Sequence, residues 1–360
     1  MFKKFTSIVF SLLLVALFAN NIAQADVDIE KVRATLPKLL GANNAGTEFV
    51  FGFHPCWEEY GANNALRIYV SSPVQTQVSL TIPYFSEEPY LIKTTKPNDI
   101  IEFVLAPAVG QPYTRGAGGQ TSTLKPTQVW PGRGIIIKAD APIIAYGVTR
   151  YQYTSDGFLA VPTHALSKTY IISAYRETAN FQAQSLTPYA DIIGVFDKTR
   201  VTFHIGGNNA TTVRTIDDKK WRPYDVLRAD LNRGDFWLIA SEGPQSDIGG
   251  SYVTANKPIA VLSGSHCAYI PTSVSACDFI IEQELPVIAW GKKYHVTNIV
   301  DRKKASVIRM FAKEPNTSFV RNGGNEIGYL TMNFGIEGEG WLETRHDPDT
   351  NKPAVITSNK

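Results

Sequence analysis

Thr76-Gln-Val78-Ser-Leu80-Thr-Ile82 places Val78, Leu80 and Ile82 on one face of an extended chain and polar residues on the other. Thr199-Arg-Val201-Thr-Phe203-His-Ile205 repeats the pattern. Both segments read as half-buried antiparallel strands, since a period of two suits a sheet with one face on a core. Short β-branched and aromatic runs continue at hairpin spacing, among them Ile135 to Ile137, Tyr170 to Ser173 and Phe236 to Ile239. Gly206-Gly-Asn-Asn209 and Asn322-Gly-Gly324 supply turn signals between such runs. A helical period is found only from Asp28 to Leu40, where Pro37 interrupts it. The predicted fold is all-β: antiparallel sheets in tandem β-sandwich-like repeats.

The repeats show in the order of the strands. Gly46-Thr-Glu-Phe-Val-Phe51, Lys168-Thr-Tyr-Ile-Ile172 and Lys292-Lys-Tyr-His-Val296 open three similar units about 120 residues apart. Each opening leads to an apolar strand (Leu66 to Val70, Ile192 to Phe196, Val307 to Phe311) and then to one that begins at Thr76, Thr199 or Thr317. Two units close with an apolar strand, a turn and Pro-Ile: Ile137-Lys-Ala-Asp-Ala-Pro-Ile143 and Val253-Thr-Ala-Asn-Lys-Pro-Ile259. Ile356-Thr-Ser-Asn-Lys360 matches the second closing segment without the Pro-Ile, so the third unit is expected to stop before its last strand and leave an unpaired edge. The expected divisions are an N-terminal segment at 26–45 and β units at 46–167, 168–291 and 292–360.

Residues 1–25 read as an export signal. Lys3 and Lys4 precede an apolar run from Ile8 to Phe18, and Ala23-Gln24-Ala25 offers a cleavage site before Asp26. The run is too short to cross a bilayer about 30 Å thick. A secreted or cell-surface protein follows, with no membrane insertion of the mature chain. Of the 360 residues, 44% are apolar, 11% aromatic and 19% charged, a composition for packed domains and not for disorder. The 35 Lys and Arg nearly balance the 33 Asp and Glu, so there is no basic stripe for nucleic acid and no polybasic segment for an anionic membrane.

Three cysteines in an exported chain invite pairing. Cys267 and Cys277 lie in one unit, and a bridge between them would restrict the unfolded chain by about 3 kcal/mol. The rival is a metal site of His266, Cys267, Cys277 and Asp278, but no Cys-x-x-Cys pair supports it. Cys56 is a buried thiol or an intermolecular link.

Catalytic patterns are weak. The six histidines show no His-x-His or His-Glu-x-x-His spacing, and Ser265 beside His266 lacks a Gly-x-Ser-x-Gly elbow. Glu58-Glu59 and Glu87-Glu88 are sequence neighbours and not carboxylates facing across a cleft. Arg115-Gly-Ala-Gly-Gly119 lacks the Lys-Ser/Thr of a phosphate loop. Asp347-Pro-Asp349-Thr-Asn351 starts like a calcium loop, but Lys352 stands where that loop needs Gly. Asn209-Ala-Thr211 and Asn316-Thr-Ser318 would accept glycans in a eukaryotic secretory pathway. No catalytic, cofactor or metal residue is assigned. Trp57, Trp130 and several of the sixteen tyrosines are the candidates for stacking on a sugar or a protein.

Lys257-Pro-Ile-Ala-Val-Leu-Ser-Gly-Ser-His-Cys-Ala268, followed by Cys277, Glu282-Gln283, Leu285-Pro-Val287 and Trp290-Gly291, resembles the N-terminal domain of the IgG-Fc-binding protein family. Asp140-Ala-Pro-Ile-Ile-Ala-Tyr-Gly147 and Phe158-Leu-Ala-Val-Pro162 are similar to it as well. The resemblance implies a secreted, non-enzymatic binding or adhesive module, of a kind that bacterial proteins also carry behind export signals, and it again implies the Cys267–Cys277 bridge. With three cysteines the chain lacks the Cys-rich von Willebrand-type modules of the vertebrate members. The expected partner is an extracellular protein or glycan. A polysaccharide-active hydrolase and a passive spacer in a surface assembly are the alternatives.

Overall fold

A computed structural model describes residues 44–59, 65–114, 124–177, 186–299, 301, 304–346 and 353–360. The segments read from the sequence as an export signal (1–25), a helix (28–40), a glycine-rich loop (115–119) and a polar turn (347–351) lie outside these. The described chain is all-β, as the alternating segments predict. Its helical content is one turn at Pro107–Gly110 and two 3-10 turns at Thr163–Ala165 and Val287–Ala289.

The first sheet runs in the order Leu91–Thr94, Gln77–Thr81, Ile135–Arg150, Leu66–Ser71, Ile100–Leu105, with Gly46–Phe51 and Ser155–Leu159 also paired to the long strand Ile135–Arg150. The second runs in the order Val226–Leu231, Thr199–His204, Tyr252–Ala268, Pro188–Gly194, Phe236–Ala240, Gln128–Trp130. Ser167–Ile171 and Asp278–Gln283 join it along Tyr252–Ala268. Toward the C-terminus, Lys293–Val296, Ala354–Ser358, Thr317–Arg321 and Glu326–Leu330 form a four-stranded sheet, and Ser306–Phe311 pairs with Trp341–His346.

The long strands correct one expectation. What reads as strand, turn and Pro-Ile is one continuous strand in each case, Ile135–Arg150 and Tyr252–Ala268. The pairing register slips beside the prolines, between Lys138 and Ile143 and between Thr254 and Ile259. A proline fits there because an irregularity in the ladder needs no amide hydrogen. The bend passes the strand from one set of partners to another, so each long strand serves two sheets' worth of neighbours. The strand expected from Ile192 to Phe196 lies instead at Pro188–Gly194. Asp191 masked its start, since a buried carboxylate breaks the apolar run.

Every residue of Pro188–Gly194 and of Phe236–Ala240 is buried. The alternation fails there because the second sheet is covered on both faces. Phe236, Leu238, Ala260 and Leu262 pack with Phe49, Phe51, Ile68 and Leu80 of the first sheet. Trp237, Ile239, Ile259 and Val261 face the other way, onto Phe203, Val201 and Tyr170. A smaller core of Met310, Ala312, Phe319, Leu330 and Ile356 lies among the C-terminal strands.

Candidate functional site

Gln77–Thr81 and Leu91–Thr94 form a hairpin whose connecting loop departs from ordinary turn chemistry. In place of a run of Gly, Asn and Asp, residues 83–90 read Pro-Tyr-Phe-Ser-Glu-Glu-Pro-Tyr. Tyr84 is 61% exposed, Phe85 46% and Tyr90 45%. Their rings nonetheless touch: Tyr84 and Phe85 meet edge to face at 5.1 Å, and Phe85 and Tyr90 lie 6.0 Å apart. Ile92, in the strand that follows the loop, is exposed as well, and Glu87 and Glu88 lie within the loop.

The loop is held rigidly. Phe85 and Ser86 donate their backbone N–H groups to Ile82 O, Tyr90 donates to Leu80 O, and Tyr84 donates to Gly132 O at 2.9 Å. Gly132 has φ of +66°, and a Cβ there would lie 2.6 Å from the Tyr84 nitrogen, so only glycine fits. Gly132 N–H in turn donates to Asp235 Oδ1 at 2.9 Å, and Pro83 packs on Gly234, which anchors the loop to a turn of the second sheet. The Arg133 guanidinium lies beneath the rings, 4.6 Å from the centre of Tyr84 and 5.4 Å from that of Phe85. Its Nη2 donates to Ala108 O at 2.8 Å and to Gln111 O at 2.5 Å. Burial pushes its pKa down. Aromatic rings fixed over an arginine are the chemistry enriched at protein-contact hot spots, since large apolar area is offered with little entropy left to lose.

Of the aromatics that the sequence offers for stacking, the two named tryptophans are not exposed in this way. Trp57 is half-buried against Leu186, Cys267 and Tyr269, and Trp130 is half-buried and stacked on Tyr113 at 5.4 Å. The readable signal for the hairpin site was three aromatics in a loop between two strands.

Cys267 and Cys277 are bridged, with their Cα atoms 5.3 Å apart. Both thiols are therefore consumed, which removes the rival metal site. Among the described residues no group of three or more His, Cys, Asp and Glu side chains has metal-binding geometry. Cys56 is a buried free thiol, and burial raises its pKa well above the ordinary value. Ser265 and His266 are both buried. Glu58 accepts from the Tyr153 and Thr154 N–H groups, so it ties down a loop, whereas Glu87 and Glu88 are exposed.

Gln283 of the family-like motif and its neighbour Glu284, which the motif does not include, hold strands together. Gln283 accepts from Val161 N–H at 2.9 Å. Glu284 accepts from Ser173 N–H and Oγ, both at 2.7 Å, and from Ser263 Oγ at 2.5 Å. Trp290 Nε1 donates to Leu285 O across the Val287–Ala289 turn. Leu285 and Ile288 remain exposed there.

The fold and this surface define an all-β protein with an exposed hairpin of touching aromatic rings. The chain belongs to the IgGFc-binding protein family: the family model described as IgGFc binding protein matches residues 156–360, more than half of its length. A human relative named IgGFc-binding protein is 26% identical over 193 residues, which is 53% of this chain and 3% of the relative. The chain thus spans a small fraction of that relative's length. No solved structure matches. The aromatic hairpin precedes the stretch that the family model covers. Among the described residues no helix is long and apolar enough to cross a membrane.

Proposed function

We propose that the chain is a secreted, non-enzymatic binding and adhesion module, released by cleavage after Ala25 and built of β units at 46–167, 168–291 and 292–360. The Tyr84–Phe85–Tyr90 hairpin over Arg133 carries this reading. A surface that keeps three rings in water, yet fixes each through backbone hydrogen bonds and a glycine that nothing else can replace, is suited to meet a protein partner. Membership of a family named for Fc binding supports a protein ligand, and immunoglobulin G Fc is the first protein to offer. The test is surface-plasmon resonance with the chain from Asp26 against Fc, joined to pull-down from host secretions and to a glycan array. Retention that a Tyr84→Ser, Phe85→Ser, Tyr90→Ser variant loses supports the proposal. Retention that this folded variant keeps in full excludes the hairpin as the contact, and turnover of a polysaccharide would replace the reading with a hydrolase.

A further inference from the structure

The two long strands bend at equivalent prolines, and each bend lines an open cavity. Val78 is level with Ala139 and Ser79 with Lys138, as Val201 is with Ala255 and Thr202 with Thr254. Gln77 and Asp140 in the first unit therefore hold the places of Arg200 and Asn256 in the second. The cavity beside the first pair has a volume of about 450 Å³, and that beside the second about 540 Å³.

The charges in the two cavities differ. In the first, Lys138 is paired with Glu48, which also binds Arg233, and Asp140 adds a second carboxylate. The second is lined by Lys198, Arg200, Asp230, Asn232, Asn256 and Lys257, three cations and one carboxylate in a chain whose charges nearly balance. Among the described residues no ion pair engages Lys198, Arg200 or Lys257. Their positions are fixed: Lys198 N–H donates to Asn232 Oδ1 at 3.2 Å, Arg200 N–H to Asn256 Oδ1 at 2.8 Å, and Lys257 Nζ to Asp197 O at 2.6 Å. Because each asparagine accepts through its oxygen, its Nδ2 donors are left for a ligand. Lys198 sits at φ +54°, where glycine or asparagine is ordinary and lysine is not.

The polar face continues along the strands. Thr202 and His204 follow Arg200 at the strand period, with Thr254 and Tyr252 level with them, while Val201, Phe203 and Val253 point into the core. Arg228, level with Thr202, adds a fourth cation. At the rise of a strand the row from Arg200 to His204 is about 13 Å long.

We infer that this face binds an acidic polysaccharide, with a carboxylate or sulfate group seated among Lys198, Arg200 and Lys257. The cations supply the charge match, and Asn232, Asn256, Thr202 and Thr254 offer the hydrogen-bonding groups that sugar hydroxyls need. A protein contact would be centred on apolar side chains, and single-stranded nucleic acid on rings that stack its bases; neither kind lines the cavity.

The experiment measures binding of the chain from Asp26 to polygalacturonate and to dextran sulfate by biolayer interferometry, beside neutral dextran and a thymidine oligonucleotide. At least one of the two acidic polymers is expected to bind, the tighter identifying the acid group, with dextran and the oligonucleotide at least about tenfold weaker. An Arg200→Gln, Lys257→Ala variant carries the residues that the first unit has at these places, Gln77 and Ala141, and should lose at least about tenfold in affinity at low salt. A Lys93→Gln, Lys138→Ala variant removes two cations from the first unit and should keep its affinity. In the parent chain the bound polymer should shield Lys198 and Lys257 from acetylation, a readout that needs no variant to fold. Binding of neither acidic polymer, equal binding of dextran, full affinity in the folded Arg200→Gln, Lys257→Ala variant, or unshielded lysines overturns the inference. An oligonucleotide that binds more tightly than both polymers overturns it in favour of single-stranded nucleic acid.

Discussion

His54 Nδ1 lies 2.7 Å from Asp191 Oδ2, with both side chains fully buried although 137 residues separate them. His54 Nε2 donates to Ile280 O at 3.1 Å, and the ring sits 5.0 Å from both Tyr189 and Phe279. The pair therefore ties the segment after Gly46–Phe51 into the second sheet. Burial raises the Asp191 pKa, an effect that the nearby histidine partly offsets. Removing one member strands the other in an apolar core. Asp191→Ala is expected to cost about 3–5 kcal/mol in urea unfolding, and a His54→Leu, Asp191→Leu double variant clearly less than the two single changes together. Additive losses would show that the pair is not coupled.

Arg309 performs a similar task between the second sheet and the C-terminal strands. Its Nη2 lies 2.8 Å from the buried Asp247 Oδ2 and its Nε 3.2 Å from Glu343, while the guanidinium stacks 4.2 Å from both Tyr175 and Trp341. Trp341 is itself buried and donates to Gly207 O at 2.9 Å. Arg309→Met keeps apolar bulk but leaves Asp247 without this partner. We expect limited proteolysis between residues 292 and 305 to accelerate at least about tenfold as the C-terminal strands undock. An unchanged cleavage rate would mean that the Trp341 contact suffices.

The Cys267–Cys277 bridge closes a short loop beside Leu186 and Tyr269. Replacing both cysteines by alanine should lower stability by about 2–3 kcal/mol, and reductant should then have no further effect on the melting temperature. A variant still sensitive to reductant would contradict a single intramolecular bridge with Cys56 free.

Tyr84→Ser and Phe85→Ser should leave stability within about 1 kcal/mol of the parent, because both are exposed loop residues outside the core. Gly132→Ala should behave differently, since a Cβ would strike the Tyr84 backbone, and it should raise amide exchange through residues 83–90. If the two kinds of change have equal effects, the hairpin is not preformed.

Glu284 titrates against its burial, which raises its pKa despite three donated hydrogen bonds. The folded chain then holds a proton at pH values where the unfolded chain has released it. Glu284 thus contributes stability that is full below the ordinary carboxylate value and is lost as pH rises toward the raised one. Asp156 and Asp191, also raised by burial, act in the same sense. His204, lowered by burial, acts oppositely, with stability lost as pH falls below its ordinary value. A difference measurement separates them: the melting temperature of Glu284→Gln relative to the parent should rise from about pH 4 to about pH 8. A flat difference would show that Glu284 does not titrate between the two states in this range.

Much of the architecture was legible in local pattern. Period-two segments such as Thr76–Ile82 fall in strands, and the repeated openings and the Pro-Ile closings mark corresponding places in the pairing scheme. The family motif was legible as a series, and its Gln283 proves to be a strand-to-strand tie; the adjacent Glu284, which makes another, was not singled out by the sequence. Less legible was the exposure of aromatics. Trp130 and Tyr84 are alike in hydrophobicity, but one stacks on Tyr113 while the other stands in water, and no neighbour in sequence decides which.

Sequence alone pointed to the alternating strands and to the two cysteines that pair, because side-chain alternation and short loop closure act between near neighbours. Tertiary structure alone decided that the second sheet is covered on both faces, and that Asp191 meets His54 and Asp247 meets Arg309. Those outcomes depend on which distant surfaces exclude water from each other, and a buried charge acquires its meaning only once its partner's position in space is set.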